Sequence, residues 1–141
     1  MTRDDILALS GEELDALVAE KVMGDDKEWL FHAPLLNWSG RHVHRHDLEG
    51  DDVTAEWYRN EPRGEWEYCG AKYSRLAQYT EEVLDRMIEL GWFPTMDYDD
   101  QERAWFVTMS RADTSFKQSP KVMRTNLKEA VCKCALLAVG V

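Results

Sequence analysis

Apolar residues first recur at helical spacing between residues 11 and 23. Ser10-Gly-Glu-Glu13 has the spacing of a capping box, and Gly24 favours the end of a helix. Between these two signals the apolar positions fall three and four residues apart, at Leu14, Leu17, Val18 and Val22. This pattern predicts a first helix over about residues 11–23.

Two further helical stripes lie in the second half of the chain. One follows Ser74, a potential cap, and stops at Gly91, which predicts a helix over about residues 75–90. The other follows Thr125 or Asn126, either of which can cap it. Its apolar face consists of Leu127, Ala130, Val131, Cys134, Ala135 and Ala138. We therefore expect Cys134 in the core and Cys132, on another face, to be more exposed.

Alternation of apolar and polar residues predicts strands. Residues 92–98 and 104–110 alternate on either side of an acidic turn at 99–102, which predicts an antiparallel hairpin. Weaker patterns at 53–59 and 65–69 predict two short strands joined by a turn at 60–64. The fold class is therefore α+β, a small antiparallel sheet packed by helices. Helices on both faces would give a three-layer α/β/α sandwich, and a one-sided arrangement is the alternative.

Composition limits the class of protein. The 141 residues are 44% hydrophobic and carry a net charge of -10. This favours one folded domain over 1–141, with an aromatic-rich irregular segment at 25–72. The excess of acids disfavours binding to duplex nucleic acid. The polar N-terminus and the short apolar runs predict neither export nor a membrane span. Three cysteines without a disulfide framework are typical of a protein in a reducing compartment, so we expect a cytoplasmic protein. We also expect no cofactor.

The first predicted helix also carries a family resemblance. Glu13-Leu-Asp-Ala-Leu-Val-Ala-Glu-Lys-Val-Met-Gly24 is similar to the opening signature of the phage ABA sandwich domain, found in small bacteriophage proteins. Tyr73-Ser74, the strand with Trp105, and the segment 129–139 follow in the family's order. The resemblance implies a phage protein acting in an infected bacterial cell. It implies no reaction and identifies no catalytic residue.

The chain departs from the family pattern in two places. Tyr79 stands where many members carry Trp, and the segment 25–72 is longer than the usual connection. That segment combines Trp and Tyr, which stack on nucleobases, with Arg, which binds phosphate. The alternative is that these side chains complete a core or a subunit interface. Our candidate ligand-binding residues are Trp57, Tyr58, Arg59, Arg63, Trp66, Tyr73 and Arg75.

Two other groups of residues are candidates for binding sites. In an extended segment His42, His44 and His46 would share one face, as a zinc site requires, but Arg41 and Arg45 disfavour a cation. A solvated basic loop without metal is therefore the preferred interpretation. A basic stretch near the C-terminus can receive an anion or complement acidic residues of the same or another copy. Its cations are Lys117, Lys121, Arg124, Lys128 and Lys133.

These observations lead to an expectation about function. We expect a phage accessory protein that is not an enzyme and that sequesters a small anionic nucleotide used in host defence signalling, either a cyclic oligonucleotide or an ADP-ribose derivative. The first alternative is a module that binds a host or phage protein. The second is a metal-dependent hydrolase that uses His42, His44 and His46. Six Trp and three amphipathic helices exceed what a small sheet can cover, which predicts a homo-oligomer.

Overall fold

The computed structural model describes residues 1–34, 42–44, 67–113, 115 and 118–140. Contacts divide the chain into two compact units. The first is built from both ends of the chain, Met1–Gly24 and Ala71–Val141, and the second is the continuous segment Asp25–Gly70. The second unit lies within the predicted aromatic-rich segment at 25–72. The single domain over residues 1–141 stays a prediction.

The elements of the described ranges are as follows. The helices are α1 (Arg3–Ala8), α2 (Gly11–Lys21), α3 (Ala77–Glu89) and α4 (Leu127–Val139). The strands are β1 (Phe31–Pro34), β2 (His42–His44), β3 (Glu67–Tyr68), β4 (Phe93–Asp99), β5 (Ala104–Ser110) and β6 (Lys121–Arg124). A short 3-10 helix at Lys27–Trp29 precedes β1. No helix among these described elements has the length and apolar character needed to cross a membrane.

The core of the first unit forms where α4 packs on an antiparallel sheet. The strand order is β4-β5-β6, and Val107 of β5 is paired with both Met96 and Val122. Val107, Met109 and Val122 are buried on the sheet face next to α4, where the Cys134 thiol lies 3.6 Å from the Val107 carbonyl oxygen. The predicted fold class, an α+β fold with a small antiparallel sheet packed by helices, is confirmed.

Helix α4 is the centre of this unit. All seven residues from Ala130 to Leu136 are buried. The reason is that α4 contacts the sheet on one side and the helices α1, α2 and α3 on its other sides. On the opposite face of the sheet Phe93 is 61% exposed and Met123 40%. The described helices therefore gather on the α4 side, which is the one-sided arrangement. A second helical layer, as an α/β/α sandwich has, is not found among the described residues.

Local signals at the helix ends were partly misinterpreted. The capping box belongs to α1, where the Thr2 hydroxyl accepts from the Asp5 amide at 3.2 Å and Asp5 accepts from the Thr2 amide at 2.8 Å. Hydrogen bonds from the backbone amide and the side chain of Thr2 lower the pKa of the Asp5 carboxyl. Ser10 is the N-cap residue of α2, but its side chain makes no capping hydrogen bond. The N-cap residue of α3 is Leu76 and not Ser74. The Asn126 cap is confirmed, since its side chain accepts from Lys128 and Glu129 amides.

The second unit contains a smaller antiparallel sheet in the order β2-β1-β3. Strand β3 lies inside the predicted strand at 65–69, and the predicted strand at 53–59 lies outside the described residues. Two of the three clustered histidines, His42 and His44, belong to β2, whereas His46 lies outside the described ranges. The histidine segment is thus extended over the described part, as a shared face requires.

Candidate functional site

Most of the predicted ligand-binding residues lie outside the described structure. These five are Trp57, Tyr58, Arg59, Arg63 and Trp66. The other two, Tyr73 and Arg75, belong to the first unit and lie just before α3. The structure therefore tests the surroundings of two candidates, and the ligand-binding role of all seven stays a prediction.

Tyr73 belongs to the core of the first unit. Its side chain is buried, and its ring meets that of Tyr79 edge to face with centroids 6.1 Å apart. Its carbonyl oxygen accepts a 2.6 Å hydrogen bond from the Thr80 hydroxyl, which fixes the chain at the start of α3. A base needs an accessible ring face for stacking. The buried Tyr73 ring is therefore better suited to packing than to contact with a ligand.

Arg75 is held by a buried carboxylate. Its Nε donates to Asp15 Oδ2 at 2.8 Å, while Asp15 Oδ1 accepts from the Ser74 amide at 2.7 Å and the Ser74 hydroxyl at 2.5 Å. Asp15 is fully buried, and the Arg75 side chain is 36% exposed. These three bonds satisfy a charge that burial would otherwise destabilise. The contact uses one of the five N–H donors of the guanidinium group.

Asp15 was not among the candidate residues, although its position in the helical pattern of α2 indicates a buried acid. It lies three and seven positions before Val18 and Val22, on the side of α2 that is buried. An acid on a buried helical stripe must be paired with donors. The spacing alone indicates a buried carboxylate, but it does not identify Ser74 and Arg75 as the partners.

The basic stretch near the C-terminus mainly binds the chain's own carbonyl groups. Lys133 is buried, pairs with Glu129, and donates from Nζ to the Leu7 carbonyl at 2.6 Å. Arg124 donates to the same carbonyl at 3.1 Å. Leu7 lies in the last turn of α1, where carbonyl groups lack helical partners and cations are stabilising. Arg124 and Lys133 therefore stabilise the C-terminal end of α1 in the same chain, which favours a structural role for these two cations over the binding of a free anion.

Both cysteines of α4 are inaccessible. Cys134 is buried as expected, but Cys132 is buried too, so the expectation of a more exposed Cys132 is wrong. The reason is that α4 is covered on all sides. Burial raises the pKa of the Cys134 thiol to about 12, and burial together with Asp15 and Glu129 raises that of Cys132 further. Neither thiol has the lowered pKa that a nucleophile needs.

A shallow depression of about 520 Å³ lies at the turn between β4 and β5. It is lined by Asp97, Tyr98, Asp99, Asp100 and Phe106. Three carboxylates disfavour an anionic nucleotide there. Among the side chains that the structure describes, no group of three or more His, Cys, Asp or Glu is placed to hold a metal ion.

Comparison of the chain with family models, curated proteins and solved structures gives no significant match. The resemblance to the phage ABA sandwich domain therefore stays a prediction based on the sequence motifs alone.

Proposed function

We propose that this chain acts by binding and sequesters a small anionic nucleotide of the kind that bacterial defence systems use as a signal. The observation that carries the proposal is the dense mixture of aromatic and Arg residues between Trp57 and Trp66. Stacking on Trp needs no charge and phosphate binding by Arg needs only local positive charge, so the net charge of -10 does not oppose the binding of a nucleotide. The resemblance to a phage family supplies the setting of an infected bacterial cell.

Arg75 supports this proposal in a limited way. Asp15 fixes the Nε side of its guanidinium group, and a third of the side chain remains exposed. A guanidinium group held in one orientation loses less entropy when it binds phosphate. Tyr73, by contrast, is a packing residue in the described unit. The stacking role in the proposal therefore rests on Trp57 and Trp66.

Calorimetric titration against cyclic dinucleotides, cyclic trinucleotides and cyclic ADP-ribose isomers tests the proposal. Each stacking contact contributes roughly 1–3 kcal/mol. Trp57→Ala or Trp66→Ala should therefore weaken binding about 5-fold to more than 100-fold. Arg75→Ala should weaken it as well and reduce its salt dependence. Melting curves accompany each titration, because Arg75→Ala also leaves Asp15 without its cation.

Trp92→Ala is the matched control. Trp92 is buried in the first unit, so its removal should lower stability by about 3–5 kcal/mol with little change in affinity below the melting temperature. Binding to no member of the panel, together with Trp57 and Trp66 variants that only melt earlier, would reject nucleotide sequestration.

A second candidate function, binding of a host or phage protein, is favoured by a different observation. Phe93 and Met123 lie exposed on the sheet face opposite α4, with Phe106 half-buried beside Met123. Phe106 and Met123 are directly paired, and an exposed apolar pair of this kind can contribute to a protein interaction site, whereas Phe93 lies at the other end of the same face, beside Ser110. A Phe93→Ser, Met123→Ser double variant should lose a partner that co-purifies with the wild-type protein from infected cells. An Ile88→Ser variant, altered at an exposed apolar residue of α3, should retain it.

A further inference from the structure

The hydrogen-bonding pattern of the β4-β5-β6 sheet decides which backbone groups face outward at its two edges. The Met109 amide of β5 donates to the Pro120 carbonyl oxygen at 3.1 Å, so these residues form a hydrogen-bonded pair. Such pairs alternate along an antiparallel ladder with pairs whose N–H and C=O groups point away from each other. In the two registers of the sheet, the outward residues are therefore Lys121 and Met123 on β6, and Pro94, Met96 and Tyr98 on β4.

The edge at β6 is closed by arginine side chains. The Lys121 carbonyl oxygen accepts from Arg3 at 2.7 Å, and the Met123 carbonyl oxygen accepts from Arg124 at 2.8 Å. A further strand can pair with β6 only after it displaces both guanidinium groups.

The edge at β4, by contrast, is open. Within the described ranges, neither a strand nor a side chain bonds the outward backbone groups of Met96 and Tyr98. The side chains of these two residues are 38% and 50% exposed, and every other side chain of β4 except that of Pro94 is exposed as well. The N–H and C=O groups of Met96 and Tyr98 are therefore available to a further strand.

Acidic side chains surround this open edge. Asp97 lies between the two outward residues, and β4 itself contains no Lys or Arg. Asp99 and Asp100 follow at the end of the strand and in the turn. Helix α3, which contacts β4, adds the exposed acids Glu81, Glu82 and Asp85. The charge at this edge favours a cationic partner.

A second copy of β4 is poorly suited to the same edge. An antiparallel pair that joins Met96 of one copy to Tyr98 of the other sets Asp97 against Asp97, and like charges in direct opposition are destabilising. A pair centred on Met96 instead sets Tyr98 against Pro94, which has no N–H to donate. The net charge of -10 adds to the repulsion between copies. These features favour a basic strand from another protein.

We propose that β4 binds an extended, basic segment of a partner protein, which adds to the β4-β5-β6 sheet as a further strand. The backbone groups of Met96 and Tyr98 supply the hydrogen bonds, and the neighbouring side chains select the sequence. This surface is the edge of the sheet, so it differs from the face that carries Phe93 and Met123. The proposal is also independent of nucleotide binding, which rests on other residues.

The two faces of β4 specify an alternating partner sequence. Met96 and Tyr98 point to the α4 side of the sheet, where the Tyr98 ring meets that of Trp105 with centroids 5.3 Å apart. Partner residues opposite Met96 and Tyr98 lie on this side, and apolar side chains fit there. The partner residue opposite Asp97 lies on the other face, where Lys or Arg fits. The segment should therefore alternate apolar and basic residues.

Fluorescence anisotropy of synthetic peptides with the full chain tests the edge. The probe is a labelled peptide of about eight residues that alternates Val and Lys. It should bind at least about 10-fold more tightly than a matched peptide of alternating Val and Glu, and added salt should weaken its binding. The same Val-Lys peptide with N-methyl groups on its Val residues cannot donate to β4 and should lose binding.

Variants of β4 separate backbone pairing from charge. Met96→Pro removes an outward N–H and spares the hydrogen bonds to β5, so it should weaken binding of the Val-Lys peptide at least about 10-fold. Met96→Val, the matched control, keeps the amide and should bind as the wild type does. Asp97→Asn should weaken binding about 3-fold. Melting curves establish that each variant is folded.

Hydrogen exchange of the wild-type chain keeps the test decisive if Met96→Pro fails to fold. The amides of Met96 and Tyr98 should exchange rapidly in the free protein and become protected when the Val-Lys peptide is added. The amides of Thr95 and Asp97, which face β5, should be protected in both states.

Three results would reject the proposal: no binding of the Val-Lys peptide, equal binding of its N-methylated form, or equal binding by folded Met96→Pro and Met96→Val. Protection of the Met96 and Tyr98 amides in the free protein that disappears on dilution would identify a second copy as the occupant, and it would also reject a basic partner. None of these results bears on nucleotide binding, which is measured separately with Trp57 and Trp66 variants.

Discussion

Asp15 in α2 and Arg75 ahead of α3 are 60 positions apart in the chain, yet their side chains are joined by a 2.8 Å hydrogen bond. The contact ties the N-terminal helices to the segment where the chain re-enters the first unit. It also explains why an acid stands on a buried helical stripe.

Replacing Asp15 by Ala should destabilise the first unit strongly. The substitution leaves the buried Ser74 amide and hydroxyl without their acceptor and Arg75 without its anion. We expect the free energy of unfolding to fall by about 3 kcal/mol in urea titrations. Glu12→Ala, at an exposed position in the first turn of the same helix, should cost less than about 1 kcal/mol. Equal losses in the two variants would contradict this role for Asp15.

The two candidate caps near the N-terminus give a second test. Thr2 accepts the Asp5 amide, so Thr2→Ala should lower stability by about 1 kcal/mol. Ser10→Ala should have a smaller effect, because Ser10 stands at its N-cap position without a side-chain bond to α2. Thermal melts of both variants in one buffer measure the difference. A larger loss for Ser10→Ala would show that the capping box belongs to α2 after all.

Stability should fall in alkaline solution because of the buried thiols. An unfolded thiol ionises near pH 9, whereas folding raises the pKa of Cys134 to about 12 and that of Cys132 further. Above pH 9 the unfolded chain releases protons that the folded protein keeps. Stability is therefore lost as pH rises from 9 toward 12, by up to about 1.4 kcal/mol per pH unit for each thiol.

Urea titrations of wild type and Cys134→Ala at several pH values isolate this contribution from that of Lys and Tyr residues. The variant should lose stability less steeply above pH 9, whatever its stability at pH 7. Parallel lines for the two proteins would show that Cys134 is accessible or ionised in the folded state.

The expected homo-oligomer is tested by light scattering after size exclusion. The exposed Phe93 and Met123 add to the apolar surface that predicts self-association. We expect a mass that is a multiple of 16.4 kDa, and Phe93→Glu should shift it toward one chain if this face is the interface. A wild-type mass of one chain at micromolar concentration would refute the prediction.

The pattern of apolar and polar residues within a short segment was sufficient to predict the long helices and the hairpin of β4 and β5. The hairpin of β4 and β5 and the long helices follow from alternation, helical stripes and a turn within a few residues of one another. Strand β6 was missed because its four residues, Lys121–Arg124, are half polar and become a strand only beside β5. Helix α1 has six residues, too few for a recognisable stripe.

The candidate sites depend even more on contacts distant in sequence. The alternation of His42 and His44 was visible, but their partner strand Phe31–Pro34 was not, because its pattern is short and ends in Pro. Asp15 could be recognised as unusual, whereas Ser74 lies 59 positions away. Pairings of this kind are fixed by tertiary packing, and a single sequence contains no local signal for them.

The discontinuity of the first unit has a consequence for synthesis on the ribosome. Arg3 donates to the Lys121 carbonyl, and Leu7 accepts from Arg124 and Lys133, so the partners of α1 are translated more than 100 residues later. The inserted segment Asp25–Gly70 is complete long before them. The apolar side chains Ile6, Leu14 and Val18 of α1 and α2 therefore remain exposed to solvent until α4 has left the ribosome and can pack against them. The nascent chain is most vulnerable to aggregation and proteolysis during that interval, and the last helix to be made is the one that ends it.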